Sequence, residues 1–281
     1  LPVCLGKDVM GESILSDLAE MPHLLIAGAT GSGKSVCVNA ILASLLLTRT
    51  PAEVGFILVD PKTVELQGYR DLPHLMTPVV VEMPKVPGVL QWAVDEMERR
   101  YALLARSGVR NLKTYNKLGE KALRQAMGEW FDAGEKPTPR HLPYVVIVID
   151  EFGELMATSS KDVEGLVMRL AQKSRAVGIH VVMATQHPSR EVVTGIIKAN
   201  LPTRISFKVT SSIYSRVVLD QMGADRLLGE GDMLYLAPGT SSLRRAQGVY
   251  VGDDEIEALV EFWKNQAEPE YVPDLVNARP V

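Results

Sequence analysis

An α/β fold with a mainly parallel central sheet and helices on both faces is what the sequence predicts. Three observations carry this. Short apolar runs alternate with segments of helical period along the chain, the pattern of repeated βα units. One such run leads into a glycine-rich loop that opens a helix, in "HLLIAGATGSGKSVC" (23–37). And 281 residues, 46% of them hydrophobic, suffice for one large domain that buries most of its apolar surface.

The elements follow in order. Residues 1–22 read as a strand or connector leading into the main domain. Buried strands are expected at 23–28 "HLLIAG", 55–60 "GFILVD", 77–82 "TPVVVE", 144–150 "YVVIVID", 178–185 "GIHVVMAT" and 204–209 "RISFKV". A first helix follows the glycine loop through "SVCVNAILASLLLT" (35–48). A second, 86–107, keeps Leu90, Val94, Met97, Tyr101 and Leu104 on one face at helical spacing. Within it "EMERRY" (96–101) reads as a charged face with Tyr101 packing inward. The segment 163–178 ends at Gly178, placed as a helix cap. Proline-rich, charged 132–143 reads as an exposed loop, 253–266 as an amphipathic helix, and 268–281 as a tail. The main domain is thus expected over 23–267.

Composition excludes little but sets the class. No apolar run approaches the ~20 residues of a membrane span. The chain begins at Leu1 with no signal-peptide pattern, which reads as a piece of a longer protein. Cys4 and Cys37 have neither metal-ligand spacing nor a disulfide framework, as in a reduced cytosolic setting. The five histidines show no ligand spacing either; His23, His74 and His180 flank strands and read as packing or surface residues. A net charge of −4 argues against a chain coated in nucleic acid but leaves room for a local basic patch.

The chemistry starts at "GATGSGKS" (28–35), which matches G-x-x-x-x-G-K-[ST] in full, between strand and helix. Gly28, Gly31 and Gly33 let the backbone curl. The N–H groups of Gly28, Ala29, Thr30, Gly31, Ser32, Gly33, Lys34, Ser35 and Val36 can then face phosphate oxygens at a helix N-terminus. Lys34 reaches the β- and γ-phosphates of ATP, and the Ser35 hydroxyl ligates Mg²⁺. "VVIVIDE" (145–151) ends a buried strand in two carboxylates. Asp150 is placed to hold Mg²⁺ and Glu151 to polarise the attacking water as general base. Asp60, closing "ILVD", is a rival with one carboxylate only. "VVMATQHPS" (181–189) brings the Gln186 amide toward the γ-phosphate from another strand end.

With those residues in place, the chain resembles the motor domain of the FtsK/SpoIIIE family of bacterial DNA translocases over nearly its whole length. The resemblance rests on "MPHLLIAGATGSGKS", "ILVDPKTVELQGY", "LPHLMTPVVVE", "WAVDEMERRY", "YVVIVIDEFGELM", "RAVGIHVVMATQHPS", "GIIKANLPTRISFKV" and "LLGEGDMLYL". It implies a RecA-like P-loop NTPase core that forms a homohexameric ring around double-stranded DNA and moves along it with ATP, in chromosome segregation at division or sporulation. It implies membrane-spanning helices before the motor and a winged-helix module after it in full-length members, so that this piece is the cytoplasmic motor of an anchored protein.

The resemblance also implies roles that no spacing reveals. Arg175 matches the position of an arginine finger supplied to a neighbouring subunit, and Arg190, Lys198 and Arg216 match pore-facing contacts to DNA phosphates. The chain departs from the family pattern at His187, where many members carry arginine, and in "TSSIYSR" (210–216), where a lysine near Ser212 and an aspartate near Tyr214 are expected. A related ring ATPase that moves protein in a secretion system is the alternative reading.

Overall fold

The computed structural model describes residues 1–132 and 138–278. Its strands are β1 (Pro2–Asp8), β2 (Ser13–Asp17), β3 (His23–Ala27), β4 (Val54–Val59), β5 (Tyr144–Ile149), β6 (Ile179–Thr185), β7 (Thr203–Phe207), β8 (Asp232–Leu236) and β9 (Leu243–Gly248). They form one nine-stranded sheet in the order β2-β1-β9-β8-β7-β3-β6-β5-β4. From β7 to β4 every pairing is parallel. From β7 through β8, β9 and β1 to β2 every pairing is antiparallel.

The helices are α1 (Lys34–Thr48), α2 (Val86–Arg106), α3 (Leu112–Tyr115), α4 (Glu120–Met127), α5 (Phe152–Lys173), α6 (Gly195–Asn200), α7 (Ser212–Leu219), α8 (Asp253–Lys264) and α9 (Pro273–Val276). The parallel strands are covered on both faces because alternate residues point opposite ways. Leu25, Ile57, Ile147 and Val181 join a core with α2 and α5. Leu24, Phe56, Val146 and Val182 join a second core with α1 and α8. This explains why those strands read as continuous apolar runs.

Several sequence expectations are corrected. The run 77–82 is no strand: it makes one isolated bridge, Val80 with Val59, and a second, Leu75 with Phe56, lies just ahead of it. Pro78 has no N–H to give a ladder. The segment still runs along β4, with Val80 N donating to Leu58 O at 2.8 Å and Val80 O accepting from Asp60 N at 2.9 Å. It so shields an otherwise open sheet edge. Helix α5 starts at Phe152, ahead of the expected 163, with a non-helical Ser159 inside it. Its C-cap is Ser174, so Gly178 is no helix cap. At φ 73° Gly178 instead turns the chain into β6, where a side chain would strike Leu112 and Tyr144.

Residues 1–22 supply the antiparallel pair at the sheet's far edge. Most of the segment read as a tail is docked: Val272 N donates to Met76 O at 2.8 Å and Leu275 is buried in the α2/α5 core. Its last three positions, 279–281, lie outside the described residues, as do 133–137 of the expected loop. His23, His74 and His180 are all buried.

Candidate active site

Because β3, β6, β5 and β4 are parallel neighbours, their carboxyl ends share one edge and the loops after Ala27, Thr185, Ile149 and Val59 converge there. The glycine loop is pinned at its start, Gly28 N donating to Thr185 O at 3.2 Å and Ala29 N to Lys208 O at 2.9 Å. Thr30 and Gly31 form its exposed tip. Gly31 at φ 74° and Gly33 at φ 110° make the reversal into α1, a backbone region L side chains avoid. A Cβ at Gly33 would also collide with the backbone of Gly231, and one at Gly28 with Ser32. Helix α1 opens at Gly33 with no side-chain cap. The N–H groups of its first turn, which includes Ser35 and Val36, therefore remain for an anion.

Lys34 is buried at 3% exposure beside Asp150 at 1%. Its Nζ donates to Asp150 Oδ1 at 2.7 Å and to Asp150 O at 3.2 Å. Asp150 Oδ2 and Ser32 Oγ are buried with no hydrogen-bond partner, which is costly unless a ligand supplies one. An uncapped helix N-terminus, an ammonium, a hydroxyl in the first turn and a carboxylate with a spare oxygen fit a polyphosphate with a hard divalent cation. Among the described residues no group of three or more His, Cys, Asp or Glu could hold a metal. Mg²⁺ asks for no such cluster, since it takes one or two protein ligands and completes its shell with phosphate and water. Cys37, one turn along, is no reactive thiol: burial pushes its pKa up to about 12.

Glu151 stands next to Asp150 as the N-cap of α5. Its Oε1 accepts from Thr185 Oγ1 at 2.6 Å and Gly153 N at 3.2 Å, and its Oε2 from Gln186 N at 2.9 Å. A carboxylate has about four acceptor positions, so one on Oε2 is left for a further proton. Gln186 Oε1 accepts from Thr30 Oγ1 at 3.2 Å, linking the glycine loop to the end of β6. The structure thus brings Lys34, Ser35, Asp150, Glu151 and Gln186 to one edge. Asp60, the rival carboxylate, is engaged by its own loop through one oxygen only: Oδ2 accepts from Leu66 N at 3.0 Å and Gln67 Nε2 at 3.1 Å, while Oδ1 is buried without a partner, as Asp150 Oδ2 is. What sets Asp150 apart is its ion pair with Lys34.

Two contributors escape the sequence reading. Lys62, in the loop after β4, places Nζ 3.3 Å from Gln186 Oε1 and 4.0 Å from Glu151 Oε2. Gly231 packs on the glycine loop, its N–H donating to Ser32 O at 2.9 Å. Both sit in segments on which the family resemblance rests, "ILVDPKTVELQGY" and "LLGEGDMLYL", but neither belongs to a motif with a stated chemistry.

Arg175 is elsewhere. It is exposed and lies just ahead of β6, whereas the glycine loop follows β3. The two strands are parallel and in register from His23 with Val181 to Ala27 with Thr185. The seven residues of β6 therefore separate Arg175 from its own glycine loop by about 20 Å. It lines a crevice with Arg49, Arg110, Lys113, His141 and Lys173. The strand entry beside it is fixed by buried Arg100, whose Nη1 donates to Val177 O at 2.9 Å and Pro143 O at 2.8 Å. "EMERRY" is thus structural, though its second arginine points inward along with Tyr101.

Arg190, Lys198 and Arg216 line one groove of about 460 Å³ between α6 and α7, together with Ser212, Ile213 and Asp220. Lys198 is not free there: its Nζ meets Asp220 Oδ1 at 2.5 Å, and Arg204 shares the same carboxylate. Desolvation opposes ionisation of Asp220, yet the hydrogen bonds from Lys198 and Arg204 hold its carboxyl below the usual range. Of the two departures in "TSSIYSR", Ser212 begins α7, and Tyr214 is half-buried with its N–H capped by Ser211 Oγ.

Comparison with known proteins finds matches in both sequence and structure. The family model described as "FtsK/SpoIIIE family" matches residues 1–190. The chain is 48% identical over 287 residues to the "DNA translocase FtsK" of Haemophilus influenzae, covering 99% of this chain and 54% of that protein. It is 50% identical over 283 residues to the protein of the same name from Pseudomonas aeruginosa, covering 98% of this chain and 35% of that one. The chain therefore spans about half or less of these curated relatives. Among solved structures it resembles the pCW3 conjugation coupling protein TcpA with ATPgS, at TM-score 0.73 and 29% identity over 93% of this chain and 70% of that one. It also resembles the cytoplasmic domain of the Thermomonospora curvata type VII secretion ATPase EccC, at TM-score 0.76 and 28% identity over 97% and 32%. The chain belongs to the FtsK/SpoIIIE family.

Proposed function

We propose that this member of the FtsK/SpoIIIE family is the ATP-hydrolysing motor of a double-stranded DNA translocase. The observation that carries the reading is the convergence of Lys34, Asp150, Glu151 and Gln186 on one glycine loop. The two curated relatives at 48% and 50% identity, both called DNA translocases, support the substrate.

In this reading the N–H groups from Gly28 to Val36 cradle the phosphates, and Ser35 with Asp150 holds Mg²⁺. When bound, the cation neutralises charge on the β- and γ-phosphates. Lys34 and Asp150 are each other's partners; on binding, the Lys34 ammonium would turn to the phosphates and the Asp150 carboxylate would help hold the cation. Glu151 takes the proton of the attacking water at Oε2, and Gln186 contacts the terminal phosphate. Arg175 completes the neighbour's site in a hexameric ring, since it cannot reach its own. Arg190, Lys198 and Arg216 offer a track for backbone phosphates, which carry no sequence information. No helix among the described residues is long and apolar enough to cross a membrane; we place this motor on the cytoplasmic side of a longer, anchored protein.

The likeness to EccC favours a second reading, an ATPase that moves protein. DNA-stimulated hydrolysis separates the two. Duplex DNA should raise ATP turnover regardless of sequence, with a steep loss of binding as salt rises. Replacing Arg190 and Arg216 by alanine should reduce the stimulation and flatten the log–log salt slope by about two. ATP turnover indifferent to duplex DNA would overturn the DNA reading and leave the protein-moving one.

A further inference from the structure

We infer that Lys62 is a positioning residue for hydrolysis: it sets the orientation of the Gln186 amide beside Glu151. This rests on the ATPase reading above and adds to it a residue from the loop after the outermost parallel strand, β4.

The loop that carries Lys62 is built to present it. Asp60, wholly buried, ends β4 and binds the far side of the loop through Leu66 N and Gln67 Nε2. Thr63 N turns back onto Asp60 O at 3.2 Å, and Thr63 itself adopts φ 58°. Few non-glycine residues take that conformation. Lys62 therefore sits at the apex of a tightened turn. From there it reaches past the end of β5 to the end of β6, where its Nζ meets Gln186 Oε1 at 3.3 Å.

The chemistry of the contact fixes more than a distance. An ammonium has three donors and no acceptor, so the oxygen of the Gln186 amide must face Lys62. Thr30 Oγ1 donates to the same oxygen at 3.2 Å. With Oε1 doubly occupied, the Nε2 hydrogens stay available: they meet no protein acceptor among the described residues. A glutamine poised to recognise a terminal phosphate must present donors, and an amide free to flip would present its oxygen half the time. Lys62 removes that ambiguity. Its charge also lies 4.0 Å from Glu151 Oε2, the oxygen with a remaining acceptor position. That oxygen already holds the Gln186 backbone N–H, so base, amide and ammonium form one connected set across three strand ends.

The test uses Lys62→Met, which keeps the aliphatic length and removes the donors, and Lys62→Arg, which keeps a donor. Affinity for a fluorescent ATP analogue and kcat are measured separately, with thermal unfolding as a check on folding. Lys62→Met should lower kcat by about ten- to a hundredfold, the scale of a misplaced group, with nucleotide affinity held within about twofold and Lys62→Arg restoring most of the rate. In a Gln186→Ala background, Lys62→Met should change kcat by less than about twofold, because its target is gone. Full kcat in Lys62→Met would overturn the inference, as would a loss of kcat that multiplies undiminished on Gln186→Ala. Loss of nucleotide affinity alone would make Lys62 a phosphate-binding group and overturn it too. Wild-type protein that binds ATP without turnover would instead refute the ATPase reading itself.

Discussion

The two edges of the parallel sheet are built on opposite plans. At the carboxyl edge the charged groups have partners within the chain: Lys34 with Asp150, Glu151 with Thr185 and Gln186, Lys62 with Gln186. At the amino edge Arg175 faces outward. It is exposed, and its side chain enters no hydrogen bond or ion pair among the described residues, although the backbone around it is tightly fixed. Arg100 holds Val177 O and Leu112 N holds Ala176 O at 2.8 Å. A rigid backbone under an unpartnered cation suits a group whose partner lies on another molecule. The difference is that the carboxyl edge holds its charged groups against one another within the chain, while the amino edge presents a cation with no partner among the described residues.

The largest effect expected tests that asymmetry directly. Lys34→Ala removes the ammonium that the proposed reading aims at the phosphates, and Arg175→Ala removes the exposed cation that it assigns to a neighbour's site. Each alone should lower ATP turnover by about a thousandfold or more, the scale of an arginine finger. Mixed under conditions that assemble rings, some interfaces pair the sound glycine loop of one variant with the sound arginine of the other, and hydrolysis should partly return. No recovery in mixed assemblies seen by electron microscopy would place Arg175 outside the neighbour's site and end the comparison as drawn.

Next in size is Glu151→Gln, which tests the carboxyl edge, where Glu151 is held by partners of its own chain. Loss of the base should lower kcat by about a hundredfold or more while nucleotide binding persists, because Lys34, Ser35 and Asp150 are untouched. The amide also supplies one acceptor oxygen where the carboxylate supplies two. It cannot accept at once from Thr185 Oγ1 and from Gln186 N on opposite oxygens, so a stability loss of about 1 kcal/mol should accompany the rate effect. Wild-type turnover in this variant would remove Glu151 from the role of base.

The same contrast decides what the sequence reveals. The parallel strands are buried on both faces and read as unbroken apolar runs, and Gly28 to Ser35 and Asp150–Glu151 follow such runs directly. Strands β8 and β9 escape notice because they pair antiparallel toward the sheet's end; "LRRAQG" of β9 is largely exposed outside Ala246 and carries no apolar alternation. The reverse error arises at 77–82, where three valines outweigh the proline before them. The early start of α5 hides behind Gly153, Thr158 and Ser159, all weak helix formers. Lys62 goes unread because an exposed lysine in a loop has no pattern, and its meaning comes only from the strand order that sets β4 beside β5. Arg175 is legible through family resemblance alone; geometry adds that it cannot serve its own glycine loop.

The smallest effect concerns what lies beneath the amino edge. His23 and His180 stand there at the starts of β3 and β6, and burial pushes their pKa values down to about 4 and about 3. Burial holds both rings neutral, and their contacts fix which nitrogen carries the proton. His23 Nδ1 accepts from Val181 N at 3.2 Å, and the Nδ1 of His180 lies 3.2 Å from Pro22 O, an acceptor that calls for a proton on that nitrogen. The unfolded chain binds protons on both rings below about pH 6.5, while the folded chain does not until pH nears the lowered values. Stability should therefore be full above about pH 6.5 and fall as pH drops toward 4, by about 1 kcal/mol for each ring between pH 7 and 5.5. Above pH 5.5 the carboxylates contribute little to this slope, because their ordinary pKa values lie near 4. His180→Asn keeps an N–H for Pro22 O and removes the titrating ring. Urea unfolding of wild type and variant at pH 7 and 5.5 isolates its share, whatever His74 adds to both. The variant should lose about 1 kcal/mol less than wild type over that interval. An identical loss in the two proteins would mean that the folded chain protonates His180 as readily as the unfolded one. The start of β6 would then be open to water at His180, against the burial that separates it from the exposed Arg175.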